Sequence, residues 1–134
     1  MLDTIRNRHA FLSLRDKGVK KVTKPFILQA RSLDTNEPPR FGLTASKKIG
    51  NAVRRNRARR RMRALVRLHL ADSARIGHHY GLIARFDMPD ASFDVLETEF
   101  LAAIETVHSQ IEKRADKGAK GPSSQARHTA KGLS

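Results

Sequence analysis

The segment SKKIGNAVRRNRARRRMR, residues 46–63, contains nine lysine and arginine side chains and no acidic one. Its second half predicts a helix, because Asn51 is a favoured N-cap residue and no Gly or Pro occurs between Ala52 and Ala71. Apolar residues and one histidine recur there at helical spacing, which predicts one buried side. They are Ala58, Met62, Leu65, Val66 and His69. We therefore predict a helix over residues 52–71 that packs by one side only.

The other side of this helix is rich in arginine. One predicted row consists of Asn56, Arg59, Arg60 and Arg63, and a second row beside it of Arg54, Arg57 and Arg61. Like charges at this spacing repel, and phosphates neutralise such a surface best, because the planar guanidinium group matches their oxygens. A solvated face would normally mix charges of both signs, and the apolar side is too short for a membrane-surface helix. The pattern therefore predicts an RNA-binding helix.

Further elements are predicted on both sides of the arginine-rich helix. They are a helix over Ala10–Lys17, strands over Phe26–Arg31, Arg40–Ser46 and Tyr80–Phe86, and a last helix that starts at Asp90–Ser92. Gly18 stops the first helix, and Lys20, Lys21 and Lys24 form a basic connector before the first strand. The last helix is amphipathic, with Phe93, Leu96, Phe100, Ala103, Ile104, Val107 and Ile111 on one face. The order is α-β-β-α-β-α, with room for one more short strand before Pro39, and the β-α-β unit predicts two parallel strands.

The composition limits the class of protein. A chain of 134 residues predicts one domain, and 27 lysines and arginines against 13 acidic residues give a net charge of +14. Such a charge favours a polyanionic partner. No cysteine is present, and no apolar run approaches the roughly 20 residues that a membrane span needs. We expect a cytoplasmic protein with no membrane partner. Residues 1–114 form the predicted domain, and residues 115–134 a disordered basic tail rich in Lys, Gly, Ser and Ala.

The segment Ser46–Arg60, with its Ser-Lys-Lys turn followed by a helix that carries Arg-Asn-Arg and further basic residues, resembles the signature of the bacterial ribonuclease P protein component. The resemblance covers about residues 11–114 in element order, with landmarks at Gly18 and Phe26, and leaves out the tail. It implies an α+β, single-domain α-β-β-β-α-β-α sandwich around a central sheet, of the ribosomal protein S5 domain 2-like class. The β-α-β crossover in that class is left-handed, against the general right-handed rule.

The resemblance also implies a function. The family is the small protein subunit of a ribonucleoprotein endoribonuclease that removes the 5′ leader of precursor tRNA, and its RNA subunit performs the metal-assisted hydrolysis. The implied partners are ribonuclease P RNA and precursor tRNA, with no obligate protein partner. The protein alone would bind no cofactor and no metal, and magnesium would belong to the RNA–protein holoenzyme. The predicted RNA-binding residues are Lys47, Lys48, Asn51, Arg54, Arg55, Asn56, Arg57, Arg59, Arg60, Arg61 and Arg63.

A cleft between the first helix and the sheet would hold the leader, and its predicted residues are Phe11, Arg15, Gln29 and Arg31. Family members often carry aromatic residues at the positions of Arg15 and Gln29. The aromatic platform for leader bases is therefore reduced here to Phe11, although the Arg15 guanidinium could stack on a base. Phe11 has two readings of equal weight, a leader-binding residue or a plain core residue.

Two other functions remain open from the residues alone. One is a structural ribosomal or ribosome-assembly protein, which the Arg-Asn-Arg spacing disfavours. The other is a DNA-binding protein, but a strand precedes the arginine-rich helix where a helix-turn-helix would need a second helix. No catalytic residue is predicted, because the carboxylates are scattered. We interpret His78 and His79 as turn or surface residues and His69 as a packed histidine.

Overall fold

A computed structural model of the chain describes residues 3–5 and 7–118. Its elements are β1 (Asp3–Thr4), α1 (Arg8–Lys17), β2 (Val19–Val22), β3 (Phe26–Ser32), β4 (Arg40–Thr44), a 3₁₀ turn (Lys47–Ile49), α2 (Ala52–Leu65), a π-helical turn (Val66–Leu70), α3 (Ala71–Ser73), β5 (His78–Ala84) and α4 (Phe93–Gly118). α2, the π-helical turn and α3 follow one another without a break, so the predicted helix over 52–71 is confirmed. The predicted α-β-β-β-α-β-α order is also confirmed, with the two-residue β1 added in front.

The five strands form one sheet in the order β1-β4-β5-β3-β2. β4 and β5 are parallel neighbours, as the β-α-β unit predicts, and β1 is parallel to β4. β3 runs antiparallel to both β5 and β2. The arginine-rich helix therefore connects two adjacent parallel strands near one edge of the sheet, while β2 forms the opposite edge. The left-handed sense of that connection stays a prediction.

The main core lies between one face of the sheet and the helices α2 and α4. Alternate residues of β3 and β5, among them Leu28 and Leu82, are buried against the apolar sides of both helices. The rings of Phe26 and Phe100 pack edge to face with centroids 5.8 Å apart. All seven residues of the predicted apolar face of α4 belong to this cluster or pack on it. The amphipathic pattern therefore identified the main packing surface correctly.

α1 packs on the other face of the sheet, over a cross-strand row that contains two glycines. Gly42, Gly81 and Gln29 are register partners across β4, β5 and β3. A Cβ atom built on Gly81 would lie 2.8 Å from Cδ2 of Leu14, and one built on Gly42 would overlap the ring of Phe11. The two glycines therefore leave the space in which α1 approaches the sheet closely.

Three predictions for the fold are wrong in part. The basic connector before Phe26 is largely strand β2, an edge strand whose only buried residue is Val19. β5 runs from His78 to Ala84, so Phe86 does not continue the strand and its side chain is 61% exposed. α4 reaches Gly118, so residues 115–118 are helical rather than part of a disordered tail. The rest of the predicted tail, residues 119–134, lies outside the described residues.

Candidate nucleic-acid interface

Two side-chain caps fix the start of α2. The Ser46 hydroxyl accepts a hydrogen bond from the Lys48 backbone N–H at 3.3 Å and closes the 3₁₀ turn. Oδ1 of Asn51 accepts one from the Arg54 backbone N–H at 3.0 Å, so the predicted N-cap is confirmed. Asn51 is thereby engaged in positioning the helix. Lys47 and Lys48 are both exposed just before it.

α2 carries the arginine face, which we define as Arg55, Asn56, Arg57, Arg59, Arg60 and Arg63. Asn56, Arg57, Arg60 and Arg63 are exposed, whereas Arg55 and Arg59 are half-buried at its margin. Ala58, Met62 and Leu65 are buried on the opposite side. Asn56 accepts a hydrogen bond from Nη1 of Arg59 at 3.1 Å, and no ion pair joins the arginines of this face to a carboxylate within residues 3–5 and 7–118. The face therefore concentrates positive charge that no described acidic side chain neutralises.

Arg54 and Arg61 do not belong to the arginine face, although the sequence predicted them as RNA-binding residues. The Arg54 guanidinium donates to the Ile49 and Phe86 carbonyls at 2.8 and 2.9 Å and pairs with Asp90 at 2.9 Å. Arg61 donates to the backbone carbonyls of Pro89, at 2.6 Å, and Ala91. Both side chains therefore tie α2 to the loop of residues 85–92, and their contact with RNA stays a prediction.

The predicted leader-cleft residues are divided between separate places around α1. The half-buried Phe11 packs on Gly42 and lines a cavity of about 500 Å³ together with Arg8, Leu12, Leu43 and Thr44. It is outside the main core, so neither reading of Phe11 is excluded: its ring packs against the sheet and also borders open space. Leu14, in the middle of α1, is by contrast fully buried against the sheet at Gly81.

The other end of α1 borders a basic groove, which we define as Arg15, Lys20, Gln29, Lys113 and Arg114. The cavity has a volume of about 460 Å³, and no carboxylate of the described side chains lines it, although Nε of Arg15 pairs with the adjacent Asp16 at 3.1 Å. The side chain of Gln29 is nearly buried at its floor, and Nη1 of Arg114 donates to the Lys17 carbonyl at 2.8 Å. The sequence predicted Arg15 and Gln29 for this region but missed Lys20, Lys113 and Arg114. Nothing in the local pattern shows that the end of α4 returns to the start of β2.

Arg31, the fourth predicted cleft residue, lies in a different cross-strand row. Its register partner is His79, which in turn pairs with Arg40. Burial lowers the pKa of His79, and the charges of Arg40 and Arg31 lower it further, whereas Glu37 opposes them. His79 is therefore neutral near pH 7, and the two guanidinium groups supply the positive charge of this row.

The other histidines are placed by packing. His78 begins β5, is buried, and its Nδ1 lies 2.9 Å from the Ile76 carbonyl oxygen, so its predicted turn or surface position is wrong. His69 is half-buried, and its Nε2 lies 2.8 Å from Oε2 of Glu97, while the next residue, Leu70, is buried in the core. Within residues 3–5 and 7–118, no group of three His, Cys, Asp or Glu side chains could hold a metal ion. In the same part of the chain, no helix is long and apolar enough to cross a bilayer.

An α+β sandwich that presents an unneutralised arginine face on the helix between two parallel strands defines a nucleic-acid-binding protein of the ribonucleoprotein type. The model of the ribonuclease P family matches residues 2–108. The ribonuclease P protein component of Ruegeria pomeroyi is 38% identical over 111 residues, which cover 81% of this chain and 88% of that relative. The same component of Bartonella quintana is 38% identical over 101 residues, covering 71% and 75%. The chain belongs to the ribonuclease P protein family, whose members are part of an endoribonuclease ribonucleoprotein.

Solved structures agree with this fold. The ribonuclease P protein of Staphylococcus aureus superimposes with a TM-score of 0.60 at 24% identity, covering 81% of this chain and 94% of that one. The Thermotoga maritima protein gives a TM-score of 0.62 at 22% identity, covering 75% and 93%. At these identities the likeness supports the fold alone. Together with the family match, it leaves the ribosomal and DNA-binding alternatives unsupported.

Proposed function

We propose that the arginine face binds the RNA subunit of ribonuclease P. The observation that carries this proposal is the division of α2 into two sides. One side is buried in the core, and the other carries five arginines, three exposed and two half-buried, without a described acidic partner. The arrangement fits a phosphate backbone, because guanidinium groups pair with phosphate oxygens and each neutralised phosphate releases a counterion. Lys47 and Lys48 extend the same charge to the turn before the helix.

The leader of precursor tRNA, in this proposal, runs along α1 on the face of the sheet opposite to α2. The basic groove supplies cations for its phosphates at one end of the helix, and Phe11 supplies an aromatic ring at the other. A single strand fits such a site, since stacking and backbone charge together hold unpaired nucleotides. Gln29 would contribute an amide hydrogen bond where relatives with an aromatic residue would stack a base.

The RNA subunit would perform the phosphodiester hydrolysis and hold the magnesium that this chemistry needs. This chain would contribute binding energy for the RNA and for the leader. We also propose a cytoplasmic location, where precursor tRNA is made. Each of these points rests on membership of the family and on the charge of the two surfaces.

The test is reconstitution of the full chain with a bacterial ribonuclease P RNA at low magnesium. The chain should stimulate cleavage of precursor tRNA at its 5′ end. Arg59→Ala with Arg60→Ala should weaken assembly with the RNA subunit equally for substrates with long and short leaders. Lys20→Ala with Lys113→Ala removes the same charge from the basic groove, and it should weaken only long-leader substrates. Absence of stimulation by the wild-type chain would reject the proposed function.

A further inference from the structure

Phe86 lies in the loop after β5, and its aromatic ring is exposed beside the first turn of α2. The ring is outside the packing cluster of the described residues. Its side chain is 61% exposed, although the ring is one of the largest apolar groups in the chain. The guanidinium carbon of Arg54 lies 4.7 Å from the ring centroid, in cation–π geometry. One face of the ring is therefore covered by a cation, and most of the rest of the side chain meets solvent.

Phe86 is held in this position by an unusual number of polar contacts. Its carbonyl accepts a hydrogen bond from Nη2 of Arg54 at 2.9 Å, while Nε and Nη1 of the same arginine are fixed by Ile49 and Asp90. The neighbouring Arg85 is fixed by two further bonds, from its backbone N–H to the Pro25 carbonyl at 2.9 Å and from Nη1 to the Thr23 carbonyl at 2.8 Å. The ring thus stands on a rigid segment, and ordering it on binding would cost little conformational entropy.

The surroundings of the ring indicate what it would bind. Arg54 lies in the first turn of α2, between the exposed Lys48 and Arg57 in sequence, so the ring stands beside the N-terminal end of the basic segment of residues 47–63. Asp87 and Asp90, the nearest acidic residues in sequence, are paired with Lys24 and Arg54. An aromatic ring beside a phosphate-binding surface is the arrangement that proteins use to stack an unpaired base.

We propose that Phe86 is a stacking platform for one unpaired base of the RNA that docks on the arginine face. This inference rests on the proposed function for the identity of that RNA, the ribonuclease P RNA. Arg54 acts as a positioning residue, because its guanidinium orients the ring and its loop without facing the RNA.

The experiment measures the affinity of the full chain for ribonuclease P RNA, without substrate, for the wild type and three variants. Phe86→Leu keeps an apolar side chain but removes the aromatic face, and it should weaken binding by about fivefold to a hundredfold. Phe86→Trp restores an aromatic face and should restore binding. Leu101→Ala is the control, since Leu101 is similarly exposed, at 46%, on α4, and it should bind like the wild type. The salt dependence of Phe86→Leu should match that of the wild type, because stacking releases no counterions.

Wild-type affinity in Phe86→Leu would overturn the inference, and so would equal weakening in Phe86→Leu and Phe86→Trp when both melt at the wild-type temperature. Arg59→Ala with Arg60→Ala separates the two proposals. If this pair weakens binding and Phe86→Leu does not, only the inference fails. If Phe86→Leu weakens RNA binding and the arginine pair does not, the proposed docking face fails and the stacking site stands.

Discussion

Gly42→Ala should destabilise the protein because α1 packs on the sheet through this glycine. The ring of Phe11 occupies the space that a Cβ atom of residue 42 would need, with Cε2 3.1 Å away and Cζ and Cε1 closer still. The ring must move or α1 must shift, and overpacking of this kind costs about 1–3 kcal/mol of unfolding free energy. At roughly 4 °C per kcal/mol for a domain of this size, the melting temperature should fall by about 4–12 °C. Thermal and denaturant unfolding measure both quantities.

The double variant supplies the control. Phe11→Ala alone should cost about 2 kcal/mol, less than the roughly 3–5 kcal/mol of a fully buried ring, because Phe11 is only half-buried. In that background Gly42→Ala should cost almost nothing, since the atoms that it overlaps are gone and alanine restricts the unfolded chain more than glycine does. Additive costs in the double variant would refute the reasoning, because residues that do not touch contribute independently.

Three further predictions concern other parts of the molecule. If roughly six basic groups reach phosphates, affinity for ribonuclease P RNA should fall about a thousandfold between about 50 and 200 mM salt, and a flat dependence would contradict binding through the arginine face. Arg61→Ala should lower the unfolding free energy by about 1–3 kcal/mol, because it leaves two loop carbonyls without their donor. The folded variant should bind RNA with the affinity of the wild type. Loss of RNA affinity at unchanged stability would show that Arg61 belongs to the RNA-binding surface. Burial raises the pKa of Tyr80, whose hydroxyl contacts His108 at 2.7 Å, so the protonated phenol is the form that the fold favours. Its contribution is complete below the unfolded pKa of about 10 and is lost as the pH rises above it, so stability should fall more steeply above about pH 10 in the wild type than in Tyr80→Phe.

The elements that sequence reasoning predicted best are those whose local pattern and tertiary packing agree. Asn51 caps α2 where the sequence places it, and the apolar stripe of α4 packs on the sheet as its spacing predicts. β2 was missed because an edge strand with three exposed residues out of four shows no apolar alternation. β1 is only two residues long and exists through its pairing with β4, which no local pattern encodes. The sequence predicted β5 as far as Phe86, because the apolar alternation continues to that residue. Pairing with β3 ends at Ala84, and the sequence alone does not show where such pairing stops.

The arginines of α2 show why a basic run predicts a binding helix better than it predicts the binding residues. Charge counting treats all seven arginines between residues 54 and 63 alike, whereas the helix sends them in different directions. Arg54 and Arg61 precede and follow the buried Ala58 by four and three positions, so they lie on the flank of the apolar stripe. The spacing marks this flank in the sequence, but it does not separate Arg54 and Arg61 from Arg55, which precedes Ala58 by three positions.

Apart from the Ile49 carbonyl, the partners of these two arginines were not visible in the sequence, because the carbonyls and the carboxylate that receive them lie 28 to 36 residues away along the chain. Because these two side chains bond to the protein itself, the roles of the arginines in α2 differ. Arg54 and Arg61 brace the loop that carries Phe86, and in the function that we propose the other five arginines, with Lys47 and Lys48, provide the charge for RNA. A cationic helix of this kind can present phosphate-binding groups at fixed positions because some of its own cations anchor it to the protein.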